Sequence, residues 1–267
     1  MSYLTRDEGK QVYFEDHGQG DTALVLIHGW GMGVRAWDHV VPALAAAGQR
    51  VVLMDHRGCG LSDKDFSDMG IEAIAGDVVA LADHLGLDSL VLNGWSLGGA
   101  VVVEAASRLG ARCQGLVLTG GATPIYTQKP DMPLGGTAED MAGTLAALNA
   151  DRVNFLHGLS KVVCVKEVGE NIENWFWDIF LQSSPLAGAT LGELADLDQR
   201  DTLLGLDTPI LSFVGSEDGF VAPDICRWVG EHHPRATLVE FEGVGHAPFI
   251  EEQQAYLDKL LAFLANL

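Results

Sequence analysis

The sequence predicts an α/β protein in which a mostly parallel central sheet is covered by helices on both faces and interrupted by a helical insertion. Three observations carry that reading. Six short apolar runs recur along the chain: ALVLIHG (23–29), VVLMD (51–55), LVLNGW (90–95), GLVLTG (115–120), PILSFVG (209–215) and TLVEFEG (237–243). Helical periodicity fills most of the intervals between them, and this alternation stops between Gly121 and Leu203. Strands alternating with helices favour right-handed crossovers and a sheet buried on both faces. A chain of 267 residues with 48% hydrophobic composition is long enough to bury such a core as one large domain carrying an insertion.

Taken in order, the N-terminal stretch YLTRDEGKQVYFEDHG reads as an antiparallel hairpin turning near Glu8-Gly9. After the first two apolar runs, Ile71, Ile74, Val78, Leu81 and Leu85 are spaced three and four residues apart, which puts them on one helical face. Leu257, Leu260, Leu261, Leu264 and Leu267 repeat the pattern at the C-terminus. Residues 122–203 show no buried strand and are expected to form a helical lid on a core of residues 1–121 and 204–267. The lid is rich in aromatic and sulfur side chains, including Tyr126, Met132, Met141, Phe155 and the run Trp175-Phe176-Trp177, followed by Phe180. Most are expected to pack within the lid. Three consecutive aromatic residues on a helix point in different directions, so at least one is expected to face a cleft or a partner. Trp175, Trp177 and Phe180, with Phe220 in a later loop, are the expected substrate contacts.

Acidic residues outnumber basic ones by 21. Binding to phosphate backbones or anionic lipid depends on clustered Lys and Arg, so nucleic acid and membrane surfaces are poor candidate partners. The acidic balance is read as a solvated surface that aids solubility rather than as the mark of a cationic substrate. Cys59, Cys113, Cys164 and Cys226 are far apart, without a CxxC pair, and are read as reduced thiols. The opening MSYLTRDEGK places Arg6, Asp7, Glu8 and Lys10 where an export signal needs an apolar stretch, and no run approaches membrane-spanning length, so a soluble cytoplasmic protein is expected. No metal-ligand spacing and no phosphate-cradling loop occurs, and no cofactor is expected.

The strongest chemical signal is Gly94-Trp95-Ser96-Leu97-Gly98-Gly99, which follows a predicted strand and opens a helical run from Ala100 to Leu109. This is a GxSxG elbow in its expected context. The strained turn presents the Ser96 hydroxyl above the sheet edge, and the glycines remove Cβ atoms where strand and helix converge. A serine hydroxyl needs a base within hydrogen-bond reach and a carboxylate to orient that base. For an elbow on such a sheet the order is serine, acid, histidine, with the last two in loops after later strands. Asp218 in SEDGFVAP and His246 in GHAPF stand in those places, although the pattern alone leaves Glu217 as a neighbour of Asp218. His17, His39, His84, His157, His232 and His233 fall in the hairpin, helices or lid. His28-Gly29-Trp30-Gly31 ends the first long strand, where the backbone N–H of Trp30 would pair with that of Leu97 as an oxyanion hole. His28 itself is expected to hold the loop rather than transfer protons. Asp55, Arg57 and Asp63 form a charged cluster expected to brace its loop through an Arg57 ion pair.

HGWG, DHRGCGLSD (55–63), GWSLGG, GSEDGFVAP and GHAPF together resemble the α/β-hydrolase superfamily over essentially the whole chain. The resemblance implies the α/β-hydrolase fold, Ser96 as nucleophile, His246 as base, Asp218 as orienting acid and a helical lid over the site. HGWG, GWSLGG, DGFV and HAPFI are most similar to the esterases that cleave pimeloyl-carrier-protein methyl esters, and DHRGCGLSD is similar to cofactor-free haloperoxidases, perhydrolases and related small esterases. Two features depart from these groups. An acidic carrier calls for basic lid residues, yet 121–203 holds only Lys129, Arg152, Lys161, Lys166 and Arg200 among many acids, which argues against a carrier-protein substrate. GGAVVVE stands where the haloperoxidase group often has GGGE.

These readings converge on a serine hydrolase that acts on carboxylic esters of small to medium hydrophobic substrates. Carbon–carbon bond hydrolysis, lactonase and perhydrolase chemistry would use the same triad, whereas epoxide hydrolases and haloalkane dehalogenases require aspartate at the elbow. A ligand-binding protein with little turnover is the alternative of a different class. The oligomeric state is left open.

Overall fold

In the computed structural model, which describes residues 2–267, strands β1 (Ser2–Thr5), β2 (Gln11–His17) and β3 (Thr22–Ile27) come first. They are followed by α1 (Val41–Ala46), β4 (Arg50–Met54), α2 (Ile71–His84), β5 (Ser89–Trp95), α3 (Leu97–Leu109) and β6 (Cys113–Thr119). Five helices then precede the next strand: α4 (Ala138–Ala150), α5 (Arg152–Ser160), α6 (Glu170–Leu181), α7 (Gly188–Glu193) and α8 (Arg200–Leu204). The chain closes with β7 (Ile210–Gly215), α9 (Pro223–His232), β8 (Ala236–Phe241), α10 (Pro248–Glu251) and α11 (Gln253–Leu264). The eight strands form one sheet in the order β1-β2-β4-β3-β5-β6-β7-β8. β1 and β2 pair antiparallel, as does β2 with β4, and every later pairing is parallel.

The apolar runs follow from burial on both faces. Alternate residues of β3 divide between two cores, with Ala23, Val25 and Ile27 on one side and Leu24 and Leu26 on the other. The first core is filled by α2 and α3, through residues such as Ile74, Val78, Leu81 and Val102. The second is aromatic: Trp37, Trp95, Phe213 and Phe249 pack there with Tyr256 of α11. The C-terminal helix buries Leu257 and Leu260 but ends at Leu264, leaving Leu267 beyond it and exposed.

The helical segment between β6 and β7 packs chiefly upon itself, through α4 on α5 and α7, and α5 on α6. Its expected limit at 203 falls inside α8, which packs on α3 and is anchored by Gln199 Nε2 donating to Ala100 O at 2.9 Å. Among the described residues, no helix is long and apolar enough to cross a membrane.

One feature of α2 departs from the periodic pattern: Asp77 lies on its inner side and is fully buried. The Arg57 guanidinium meets it with two hydrogen bonds, at 2.5 and 2.7 Å, and Arg6 adds a third at 2.6 Å. Arg57 also reaches Asp7 and lies 4.8 Å over the Phe66 ring, so the hairpin, the 55–63 loop and α2 are joined at one buried ion cluster. The expected bracing role of Arg57 is thereby given a partner outside its own loop. Asp63 instead pins β2, accepting from Gln11 N at 2.7 Å. Breaking one side of a buried pair leaves the other charge uncompensated, so Asp77→Ala is expected to lower unfolding free energy by about 3–5 kcal/mol. Urea denaturation of both proteins checks this, and a loss below about 1 kcal/mol would contradict it.

Candidate active site

Ser96 occupies the turn between β5 and α3 with φ 55° and ψ −124°, a left-handed conformation that costs a non-glycine residue about 1–3 kcal/mol. Hydrogen bonds hold it there. Ser96 N donates to Thr119 O at 3.0 Å, and Ser96 O accepts from Gly99 N and Ala122 N, both at 2.8 Å. The flanking glycines are a steric requirement: a Cβ at Gly94 would lie 2.2 Å from Gly98 O, and one at Gly98 would lie 2.5 Å from Ile27 O. Gly29 on the neighbouring loop also passes close, since a Cβ there would come 3.1 Å from that of Ser96.

Asp218 follows β7 and His246 follows β8, and the fold brings them together. His246 Nδ1 and Asp218 Oδ2 are 2.7 Å apart, and both side chains are almost completely buried. The other carboxylate oxygen, Oδ1, accepts from Phe220 N at 2.8 Å and Val221 N at 3.0 Å. A carboxylate so occupied holds the Nδ1–H tautomer of His246 and leaves Nε2 as the acceptor. Phe220 stacks flat on the imidazole at 4.8 Å, and Trp95 Nε1 donates to His246 O at 2.9 Å. Glu217, the neighbour that pattern could not separate, is exposed; its main chain bonds Val244 O and its side chain does not reach His246.

The first oxyanion candidate lies on the loop after β3, and the second begins α3. Among the described residues neither Trp30 N nor Leu97 N has a protein acceptor, although Leu97 is completely buried. Both residues line the same cavity as Ser96, and open N–H groups of this kind are what an incoming oxyanion requires. His28 fixes this loop. Its Nε2 accepts from His56 N at 2.9 Å, so in the neutral ring Nδ1 is the donor to Gly29 O, at 2.7 Å. Burial pulls the His28 pKa down to about 4. His56 stacks on His28 at 3.8 Å, and burial also holds its pKa well below the ordinary histidine value.

Ser96, Leu97, Trp30 and His246 line one cavity of about 80 Å³. Phe180 and Phe220 line it too, but Trp175 and Trp177 do not. On α6 the inward positions are Phe176 and Phe180, four residues apart. Phe176 packs on Trp95 in the core at 6.2 Å, while the flanking indoles turn aside, Trp175 to His39 at 4.9 Å and Trp177 to His157 at 4.6 Å. The rest of the wall comes from residues without a sequence pattern to mark them: Met32, Phe155, Leu159, Val163, Leu191 and Leu194. Tyr126 and Thr144 supply the remaining polar atoms; burial and nearby Asp218 push the Tyr126 hydroxyl up to about 12, so it stays neutral. Among the described residues, no group of three His, Cys, Asp or Glu side chains could hold a metal ion.

A serine at a strained strand-to-helix turn, sharing a cavity with the imidazole of a buried imidazole–carboxylate pair on later loops of a mostly parallel sheet, suits a hydrolase. The comparisons place it in a family. A model described as alpha/beta hydrolase fold matches residues 22–253, and the chain belongs to that family. It is similar to the pimeloyl-[acyl-carrier protein] methyl ester esterase of Klebsiella pneumoniae (strain 342), with 30% identity over 96% of this chain and 98% of that one. Among solved structures it superposes on an esterase from Exiguobacterium antarcticum with a TM-score of 0.95, at 25% identity and 99% coverage of each chain. A bromoperoxidase from Bacillus anthracis gives a TM-score of 0.92 at 27% identity, covering 99% of this chain and all of that one.

The His28 geometry carries a pH signature. A folded-state pKa of about 4 against an ordinary value of 6.5 means that the unfolded chain binds the extra proton between these limits. The His28 contribution is therefore complete above about pH 6.5 and is lost as pH falls towards 4. In His28→Gln, whose amide oxygen can accept from His56 N, the fall in unfolding free energy between pH 7 and 5 is expected to be shallower than in wild type. Urea titrations at the two pH values check this, and parallel slopes for the two proteins would contradict it.

Proposed function

We propose that the protein is a serine hydrolase of carboxylic esters with small apolar acyl groups. The observation that carries the reading is the common cavity: Ser96 at its strained turn and His246, held by Asp218, open onto the same apolar space. Ser96 Oγ attacks the ester carbonyl while His246 Nε2 takes its proton. The developing oxyanion accepts from Trp30 N–H and Leu97 N–H. His246 then gives the proton to the departing alkoxide, and water cleaves the acyl-enzyme with His246 again as base. The helices between β6 and β7 act as the lid that keeps bulk water from this site.

Two further features support a small-molecule substrate over an acidic carrier protein. Four of the lid's five basic residues are already engaged within the protein, Arg152 with Ser183, Lys166 with Glu252, Arg200 with Asp131 and Asp198, and Lys129 with Ala195 O, which leaves Lys161 as the exposed exception. The cavity walls are also mostly apolar, suiting a hydrocarbon acyl chain. The names of the similar esterases support ester chemistry as a class, and the carrier-bound substrate in one of those names is not carried over.

Treatment with a fluorophosphonate followed by intact-mass measurement tests the nucleophile. One adduct is expected on wild type and none on Ser96→Ala. Turnover of p-nitrophenyl acetate by that variant is expected to fall by about 10³-fold or more, while its thermal unfolding is unchanged. Faster turnover of simple esters than of lactones or vinylogous diketones is expected. Retention of ester turnover in Ser96→Ala would overturn the mechanism.

A further inference from the structure

The loop that carries His246 is held from two sides. Towards the sheet, Trp95 Nε1 donates to His246 O at 2.9 Å, and the ring itself meets Asp218 and Phe220. On the other side runs the stretch between α5 and α6, where Val163 O accepts from His246 N at 2.9 Å and the Val163 side chain lines the catalytic cavity. One side chain closes this second contact into a ring. The Glu251 carboxylate, at the end of α10, accepts from Gly245 N at 2.9 Å through Oε1 and at 3.1 Å through Oε2, and Oε2 also accepts from Val165 N and Lys166 N, both at 2.9 Å. It joins the residue before His246 to the residues just after Val163. The approach is close, since a Cβ at Gly245 would lie 3.0 Å from Val165 N and 3.1 Å from Glu251 Oε1.

Resting on the role of His246 in the proposed ester hydrolysis, we propose that Glu251 is a positioning residue, whose carboxylate locks the His246 main chain to the wall of the cavity. The donor set explains the side chain. Three N–H groups from two separate segments converge on its two oxygens, and an ionised carboxylate accepts at both. An amide has one accepting oxygen and would turn its own N–H groups against the donors on the other side. Glutamine would therefore keep one segment and release the other, opening the ring at nearly constant shape. The placement matters because His246 must take the Ser96 proton at hydrogen-bond distance. The Asp218 contact at Nδ1 orients the imidazole, but the main chain sets how far Nε2 stands from the serine. The next carboxylate along the chain offers a contrast. Glu252 pairs with the Lys166 ammonium, which anchors the same lid stretch without a bond to the His246 loop.

Two neighbouring variants test the assignment. In Glu251→Gln, kcat for p-nitrophenyl acetate is expected to fall about tenfold while KM stays within about twofold of wild type. Glu252→Gln removes the Lys166 pair but leaves the ring closed, and both constants are expected to stay within about twofold of wild type. The second readout needs no substrate. The low-field NMR resonance of the proton between His246 Nδ1 and Asp218 is expected to broaden in Glu251→Gln and to keep its wild-type width in Glu252→Gln. A kcat within about twofold of wild type in Glu251→Gln would overturn the assignment, as would a loss confined to KM, an equal loss in Glu252→Gln, or an unchanged resonance in Glu251→Gln. Failure of the ester reading would show separately, as wild-type protein that neither turns over the ester nor takes up the fluorophosphonate, and the resonance would then decide the role of Glu251 alone.

Discussion

The site depends on one backbone conformation, the left-handed turn at Ser96. A non-glycine residue holds φ near 55° only when its surroundings compel it, and here three main-chain hydrogen bonds and the close crossing of β5, α3 and β3 do so. That crossing also determines where the Trp30 and Leu97 N–H groups lie. Because the Gly98 position packs against Ile27 and His28 carbonyls without room for a Cβ, the start of α3 is held against the loop carrying Trp30. Beneath the turn, Thr119 Oγ1, Asn93 and Tyr256 OH close a buried ring of hydrogen bonds at 2.8–3.0 Å, tying β5 and β6 to α11. The strain at Ser96 is thus supported by core structure on both sides of the sheet.

Two side chains from later loops reach the site by a different route. Asp218 and His246 stand on separate loops, and the histidine loop is fastened to the helical segment above it. His246 N donates to Val163 O at 2.9 Å, and the Glu251 carboxylate gathers Gly245 N, Val165 N and Lys166 N, each within 3.1 Å. Val163 itself lines the cavity. The segment that supplies most of the apolar wall is therefore joined to the loop that carries His246, and displacement of residues 163–166 would disturb both together.

Much of this was legible in the sequence, for identifiable reasons. Strands buried on both faces leave unbroken apolar runs, and an elbow that tolerates only glycine at two positions leaves GxSxG; Asp218 and His246 follow from chain order once the sheet is known. The choice of Asp218 over Glu217 required coordinates, because one residue of register in a loop decides which carboxylate turns inward. Three consecutive aromatic residues predict that one faces a cleft without saying which, and the helix phase of α6 hands the inner face to Phe176 and Phe180 rather than to Trp175 and Trp177. Asp77 was hidden because a charge on an apolar face has no pattern of its own; its partners, Arg57 and Arg6, lie 20 and 71 residues away. His56 drew no notice inside DHRGCGLSD, although its N–H sets the tautomer of His28. The cavity wall is likewise assembled from residues on five or more separate segments, a property of tertiary packing alone.

The central claim is that the Ser96 turn places its hydroxyl between the Trp30 and Leu97 N–H groups and the His246 imidazole. A crystal structure of the fluorophosphonate adduct tests it most directly. The account predicts phosphorus bonded to Ser96 Oγ, the phosphonyl oxygen within about 3.1 Å of both N–H groups, and the left-handed turn retained. A phosphonyl oxygen directed away from Trp30 and Leu97, or a Ser96 turn relaxed to negative φ, would contradict it.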